Sequence, residues 1–370
     1  MFRTTAQPVS PSRRAYIDWT RGIAVLLMIE AHTLDSWTRL SSRGSTIHGY
    51  AVILAGFAAP LFLWLAGLSI PLAAASNLRR GLSRPAAAAA VCKRGLEIFV
   101  LAFLFRLQAF ILSPGAHPVT LFRVDILNIM GPAIAAGALV WMLSESTVVL
   151  VVIFSVIATV VTMATPLVRT AGFVDMLPTW VQWYVRPAAD NTTFTSFPWV
   201  GFVFAGAAVG ELLSAIREPR LQQRLLAGVG ITGAVIVAAG FYAASLPSIY
   251  AQSSFWTTSP TYFAIRVGVL MTGLALMFAL EQLVAAKAVA LDMLGRLGRS
   301  SLFVYWIHVE LVYGYATWPL RRRLPLWGTG IAFVLFTLLM LGAVLLRDRL
   351  AERWRAPSRQ ITFGSKAEAV

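Results

Sequence analysis

The sequence holds a single cysteine, Cys92. That excludes an internal disulfide, a cysteine-based zinc site and an iron–sulfur cluster. Charge is scarce as well: Asp, Glu, Lys and Arg together make up 13% of the chain, roughly half the share of an ordinary soluble domain. Acidic residues are the scarcest, 16 against 31 Lys and Arg, which leaves a formal charge of +15. There is no P-loop, GxSxG nucleophile elbow, HExxH pair or dinucleotide-binding glycine fingerprint. The four histidines lack metal-ligand spacing, so no metal site is expected.

What is abundant is apolar surface. Hydrophobic residues make up 58% of the 370 and the mean hydropathy is +0.72. A soluble globule cannot hide that fraction, and a disordered chain is poor in aliphatics and aromatics. The composition therefore predicts an all-α, polytopic transmembrane bundle, because lipid demands a backbone satisfied within each segment. At about 20 apolar residues per crossing, ten spans are expected: 17–37, 50–75, 90–112, 122–143, 147–166, 196–215, 225–245, 262–284, 297–317 and 327–346. One transmembrane domain (17–346) would then lie between a tail at 1–16 and a basic tail at 347–370. No compact basic domain lies outside these segments, so the positive charge points to the lipid surface and not to nucleic acid.

The distribution of Lys and Arg sets an expected orientation. With the N-terminus in the cytoplasm, twenty of the 31 basic residues fall on that side, so the positive-inside rule places both termini there. The Arg321–Arg323 run opposes the trend. The longest loop on the other side, 167–195, and the loop 244–261 are both rich in aromatics. Those rings suit either a membrane-interface belt or the entry to a site.

Ionisable residues inside apolar spans are costly and mark function by default. The first span is the richest in them. Arg21 and His32 are eleven residues apart, three turns plus about 20°, so they share one face about 16 Å apart along the axis. Asp35 lies within about 40° of that face and Asp18 about 60° away, at 100° per residue. An imidazole can take and return a proton near neutral pH, and Asp35, three residues on, could hold its tautomer. The alternative is that Arg21 snorkels and His32 is interhelical glue. Further candidates for a lined cavity are Arg123 and Asp125 at the fourth span, interrupted by Gly131-Pro132, with Glu211 in the sixth and Arg266 in the eighth. In the ninth, Ser301, Tyr305 and His308 share a face. His48, in the first outer loop, could hang over the mouth of the cavity.

The stretch Tyr16-Ile-Asp18-Trp-Thr-Arg21-Gly22, followed by His32, resembles the opening helix of a superfamily of integral-membrane acyltransferases. That superfamily includes the acyltransferase-3 and the heparan-α-glucosaminide N-acetyltransferase-like families. Leu121-Phe-Arg123-Val-Asp125, Phe197-Pro198-Trp199-Val-Gly201 and Gly298-Arg299-Ser-Ser-Leu-Phe-Val-Tyr305 are similar to the second of these. The resemblance implies a roughly ten-helix fold. It also implies transfer from a cytoplasmic acyl-CoA, such as acetyl-CoA, to a sugar amine or hydroxyl reached from the other side, with no permanently bound cofactor. It implies a catalytic His in the first helix of the acyltransferase-3 branch. The heparan-glucosaminide enzyme has Asn where His32 stands and its catalytic His in the following loop, where this chain offers His48.

On this reading acyl-CoA phosphates sit near Arg21 and the Arg79, Arg80, Arg84, Lys93 and Arg94 group, and the thioester reaches up to His32. Asp18, Arg123, Asp125, Arg266, Tyr305 and His308 help bind the substrates. The expected setting is a bacterial inner membrane, the expected acceptor a glycan or other small molecule, and a homo-oligomer is compatible with the sequence. A secondary transporter with a midplane charged site and a non-catalytic scaffold are the competing classes.

Overall fold

The computed structural model describes residues 14–112, 117–284 and 289–355. Among these residues the chain is helical, joined by short 3-10 turns, with two isolated bridges and no strand. In order the helices are α1 (Ala15–Trp37), α2 (Thr46–Ala55), α3 (Ala58–Arg79), α4 (Arg84–Leu112), α5 (Ile126–Met142), α6 (Thr147–Thr170), α7 (Thr179–Val185), α8 (Ser196–Ala215), α9 (Pro219–Ala244), α10 (Pro260–Leu283), α11 (Val289–Arg299), α12 (Ser301–Tyr313) and α13 (Leu326–Arg355).

Seven helical segments among the described residues are long and apolar enough to cross a membrane. They are α2 with α3, then α4, α6, α8, α9, α10 and α13. The other three apolar segments of the sequence are helical too, with differences that have physical causes. α1 is long enough, but Asp18, Arg21, Glu30 and Asp35 make it too polar for a lipid-facing span, and it is largely buried instead. α5 and α12 are short apolar helices.

Two spans expected as single helices are broken. The second turns at Gly56–Phe57 between α2 and α3, and the ninth turns at Ser300 and ends at Tyr313. The fourth begins at Ile126, because 118–122 is a 3-10 turn and Asp125 is the N-cap. The expected interruption at Gly131-Pro132 does not occur: α5 runs through Pro132. Gly131 is instead where α5 meets α4, each of Gly131 and Gly95 facing the other's carbonyl oxygen.

Close approach of backbones organises the bundle. An added Cβ at Gly206 of α8 would strike the Trp64 carbonyl oxygen, and one at Gly67 of α3 would strike that of Val203. Small residues at such crossings let helices associate where apolar burial alone gives little drive in lipid. Gly22 of α1 meets the Leu294 carbonyl oxygen of α11 in the same way, while Gly298 meets that of Asp18. The Arg-Gly pair of the first helix thus has two jobs: Gly22 admits α11, and Arg21 beside it faces inward.

Both described ends of the chain lie at one end of the bundle. Arg14 donates to the Leu213 carbonyl at the end of α8 (3.0 Å), and Arg347 of α13 donates to Ser300 Oγ (2.8 Å) near the start of α12. At the opposite end Ser36 Oγ donates to the Val312 carbonyl (3.0 Å) and Thr38 bridges to Leu324. The ends of α1 and α12 and the start of α13 therefore meet there.

Candidate active site

A cavity of about 1260 Å³ runs through the bundle. Its wall includes Asn77 and Ala58 of α3, and Ala90 and Ala109 of α4. Each pair is nineteen residues apart, about 28 Å along a helix, close to the roughly 30 Å of a hydrocarbon core. The cavity therefore reaches both ends of the bundle.

Toward the end where the described chain begins and ends, Arg21 and Arg94 line it. Arg21 donates to Asp18 Oδ1 (3.2 Å) and Ser69 Oγ (3.1 Å). Asp18 is buried behind it, 3.9 Å from Arg299 of α11, and does not line the cavity. Of the basic residues expected to meet phosphates, only Arg94 joins Arg21 in the wall. Arg84 is spent on the carbonyls of Trp141 and Ser144 and lies 3.9 Å over the Trp141 ring.

Three turns along α1 from Arg21, His32 lines the same cavity. Its Nδ1 lies 2.8 Å from Nε2 of His308, and the rings stack with centroids 5.0 Å apart and planes 11° apart. His308 is fully buried, and its Nδ1 lies 2.7 Å from the Val304 carbonyl oxygen. A carbonyl oxygen only accepts, so with both imidazoles neutral His308 Nδ1 carries the proton and its Nε2 is the acceptor. His32 Nδ1 must then donate, which leaves Nε2 of neutral His32 with a lone pair.

Asp35 was expected to set this tautomer, and it does not. Its carboxylate accepts from Tyr313 Oη (2.9 Å) and sits 3.9 Å from Arg43. The physical reason is reach: the side chain leaves α1 toward the loop, and His308 from α12 occupies the position beside Nδ1. The Tyr313 ring packs edge-on against His32, 5.6 Å away. His48 is in the first turn of α2, its amide held by Ser45 Oγ (3.3 Å), and it is not part of the cavity wall.

The opposite half of the cavity is lined by Arg106, Arg123, Asp125, Arg266, Tyr305 and Glu310, among others. Residues 123–125 are extended: Val124 N donates to the Asn191 carbonyl (3.0 Å) and Thr193 N to the Val124 carbonyl (2.9 Å). Alternation along an extended segment puts Arg123 and Asp125 on one side, which is why both reach the cavity. Arg123 Nη2 donates to Thr193 Oγ1 (2.8 Å). Asp125 pairs with Arg106 of α4. Tyr305 stands between Phe105 (5.1 Å) and His308 (6.0 Å, centroid to centroid). Glu211, expected to support the cavity, is elsewhere: it accepts from Trp141 Nε1 and Thr147 Oγ1, each at 3.1 Å, and ties α5, α6 and α8 together.

Arg106, Glu310, Tyr313 and Arg321 line the cavity and were not among the sequence candidates. Arg106 is a charge alone in the long apolar run of α4, a signal the sequence did carry. Tyr313 and Arg321 are outside any expected polar face, and only the fold brings them to the wall. No group of three His, Cys, Asp or Glu suited to a metal ion occurs among the described residues.

Residues 13–239 match the family model described as heparan-alpha-glucosaminide N-acetyltransferase, catalytic. The chain belongs to the heparan-alpha-glucosaminide N-acetyltransferase family. Comparison with curated proteins gave no match. Membership in this family makes the chain an integral-membrane protein of acyltransferase type, in agreement with its apolar helices. The heparan-alpha-glucosaminide N-acetyltransferase match covers Arg21, His32, His48, Arg123 and Asp125. It ends before Arg266, Tyr305 and His308, so the His32–His308 contact joins the matched segment to the part of the chain beyond it.

Proposed function

We propose that this protein moves an acyl group, acetyl in the first instance, from acyl-CoA to an amine or hydroxyl of a sugar or glycan. The observation that carries the reading is His32 in the wall of a cavity that reaches both ends of the bundle, its Nδ1 engaged by His308 and its Nε2 therefore left to act. Acyl-CoA enters at the end where the described chain begins and ends, where Arg94 and Arg21 offer positive charge to its phosphates. The acceptor enters from the opposite end. His32 Nε2 takes the proton of the attacking amine or hydroxyl as its N or O bonds to the thioester carbonyl carbon. The C–S bond then breaks, and the thiolate leaves with a proton as free CoA. The products are an amide or ester and the CoA thiol, so atoms and charge balance.

The ten helical segments alternate through the membrane in this reading, and the positive-inside distribution puts both termini in the cytoplasm of a bacterial inner membrane. Donor and acceptor then meet from opposite faces. This reading takes His32, which lines the cavity, as the base ahead of His48, which does not.

The test uses proteoliposomes carrying the purified full chain, with acetyl-CoA on one face and glucosamine on the other. The expected result is acetylated sugar and a stoichiometric CoA thiol. A folded protein that gives neither product from either orientation overturns the proposal. Passage of intact sugar without thiol release replaces it with transport.

A further inference from the structure

A second hollow, of about 360 Å³, lies where α4, α12 and α13 come together. Leu101 of α4 lines one side and Arg347 of α13 another, with Arg299, Ser300, Phe303 and Trp306 of the α11–α12 junction between them. None of these six residues lines the main cavity. Arg347 Nη2 donates to Ser300 Oγ (2.8 Å), and its guanidinium lies 4.9 Å over the Phe303 ring. One half of the hollow is therefore cationic and the other apolar.

The length of α13 sets its depth in the membrane. Leu326 and Arg347 are twenty-one residues apart with no charged residue between them. That is about 32 Å along a helix, which matches a hydrocarbon core of roughly 30 Å. Arg347 therefore stands at the hydrocarbon boundary, at the end where the described chain begins and ends. Phe303 and Trp306 continue along α12 toward the bilayer interior. The flanking helices expose apolar side chains, among them Val100 and Leu104 of α4 and Leu339 and Leu346 of α13.

Charge at the polar half favours an anion. Arg347 pairs with Asp348 at 2.7 Å. Arg299 has Asp18 and Asp292 only at 3.9 and 3.8 Å, beyond hydrogen-bond length. Asp18 also accepts from Arg21, and both Asp292 and Asp348 are shared with Arg296. Two guanidinium groups on one hollow suit a phosphate, whose oxygens accept charge-assisted hydrogen bonds. A soluble phosphate would use the cations alone. A phospholipid would use the cations at headgroup level and the apolar wall below them.

We infer that this hollow binds an anionic phospholipid, its headgroup phosphate between Arg299 and Arg347 and its acyl chains along Phe303, Trp306 and Leu101. The inference concerns equilibrium binding and does not depend on acyl transfer.

The experiment titrates the detergent-purified full chain with fluorescently labelled phosphatidylglycerol and phosphatidylcholine in mixed micelles. Phosphatidylglycerol is expected to bind roughly 10- to 30-fold more tightly, about fivefold for each arginine. The double variant Arg299→Gln/Arg347→Gln should bring it down to the level of phosphatidylcholine. Arg299→Gln alone keeps the Arg347–Ser300 contact and should lose about fivefold, so it decides the matter if the double variant does not fold. Equal binding of the two lipids, or undiminished phosphatidylglycerol binding by Arg299→Gln, overturns the inference. So does an equal loss in Arg220→Gln/Arg224→Gln, a pair of cations on α9 outside the hollow. Displacement of the lipid by an equal concentration of glycerol 1-phosphate makes this a soluble-phosphate site and overturns the lipid assignment.

Discussion

His32 Nδ1 lies 2.8 Å from His308 Nε2, and His308 Nδ1 lies 2.7 Å from the Val304 carbonyl oxygen. This chain of contacts has one direction, because its last member can only accept. In the neutral pair it leaves the lone pair of His32 on Nε2, using a buried side chain from a helix far away in sequence. His308 itself is not in the cavity wall, so in the proposed reaction its part is to position His32.

Replacing His308 tests the direction. In His308→Gln the amide oxygen can still accept from His32 Nδ1, whereas His308→Leu offers nothing. Turnover is expected to fall about tenfold or less in the first and about 100-fold or more in the second, against a base contribution of about 10²–10⁴. KM for acyl-CoA is expected to stay near native in both, since His308 is not in the cavity wall. Steady-state kinetics on both variants checks this, with equal loss in Gln and Leu as the opposing outcome.

Acid should switch the enzyme off through one group. A proton on His32 Nε2 fills the lone pair that receives the acceptor's proton, so turnover rises with pH as that proton leaves. The residual activity of His32→Ala should lack this rise. A pH–rate profile of both proteins, with thermal stability followed across the same range, separates the titration from unfolding.

Arg21 is expected to act on binding. Its guanidinium reaches Ser69 Oγ from α1 to α3 (3.1 Å), on the side proposed for acyl-CoA entry. Arg21→Gln should raise KM for acyl-CoA about tenfold, in the range of a lost charge-assisted contact, with a smaller change in kcat. Progress curves at varied acyl-CoA concentration give both values.

The α3–α8 crossing predicts a stability effect without a site effect. Gly206 abuts the Trp64 carbonyl oxygen, whereas an added Cβ at Gly330 of α13 meets nothing within 4 Å. Gly206→Ala should destabilise by about 1–3 kcal/mol, the usual cost of overpacking, and Gly330→Ala should leave the melting temperature unchanged. A thermal melt of the two variants in one detergent makes the comparison.

Much of the site was legible because charge inside an apolar run is rare enough to notice. Arg21 and His32 were placed on one face by helical period alone, and they line one cavity. Arg123, Asp125, Arg266 and Tyr305 stood out in the same way and line it too. What the chain order did not carry was partnership between helices. The period of α1 makes Asp35 look like His32's neighbour, yet the contact to Nδ1 comes from His308, 276 residues away. Likewise His48 follows His32 closely in sequence, but the turn into α2 carries it off the cavity wall. The breaks at Gly56–Phe57 and Ser300 were hidden for a related reason: hydropathy reports how apolar a stretch is, not whether its axis continues.

The central claim is that His32 Nε2 is the base that starts acyl transfer. Single-turnover transfer from radiolabelled acetyl-CoA by His32→Ala, at acetyl-CoA concentrations shown by equilibrium binding to saturate it, tests this most directly. Native-like binding and a transfer rate lower by about 10²–10⁴-fold are expected. Transfer within twofold of the native rate, at equal saturation, would contradict it.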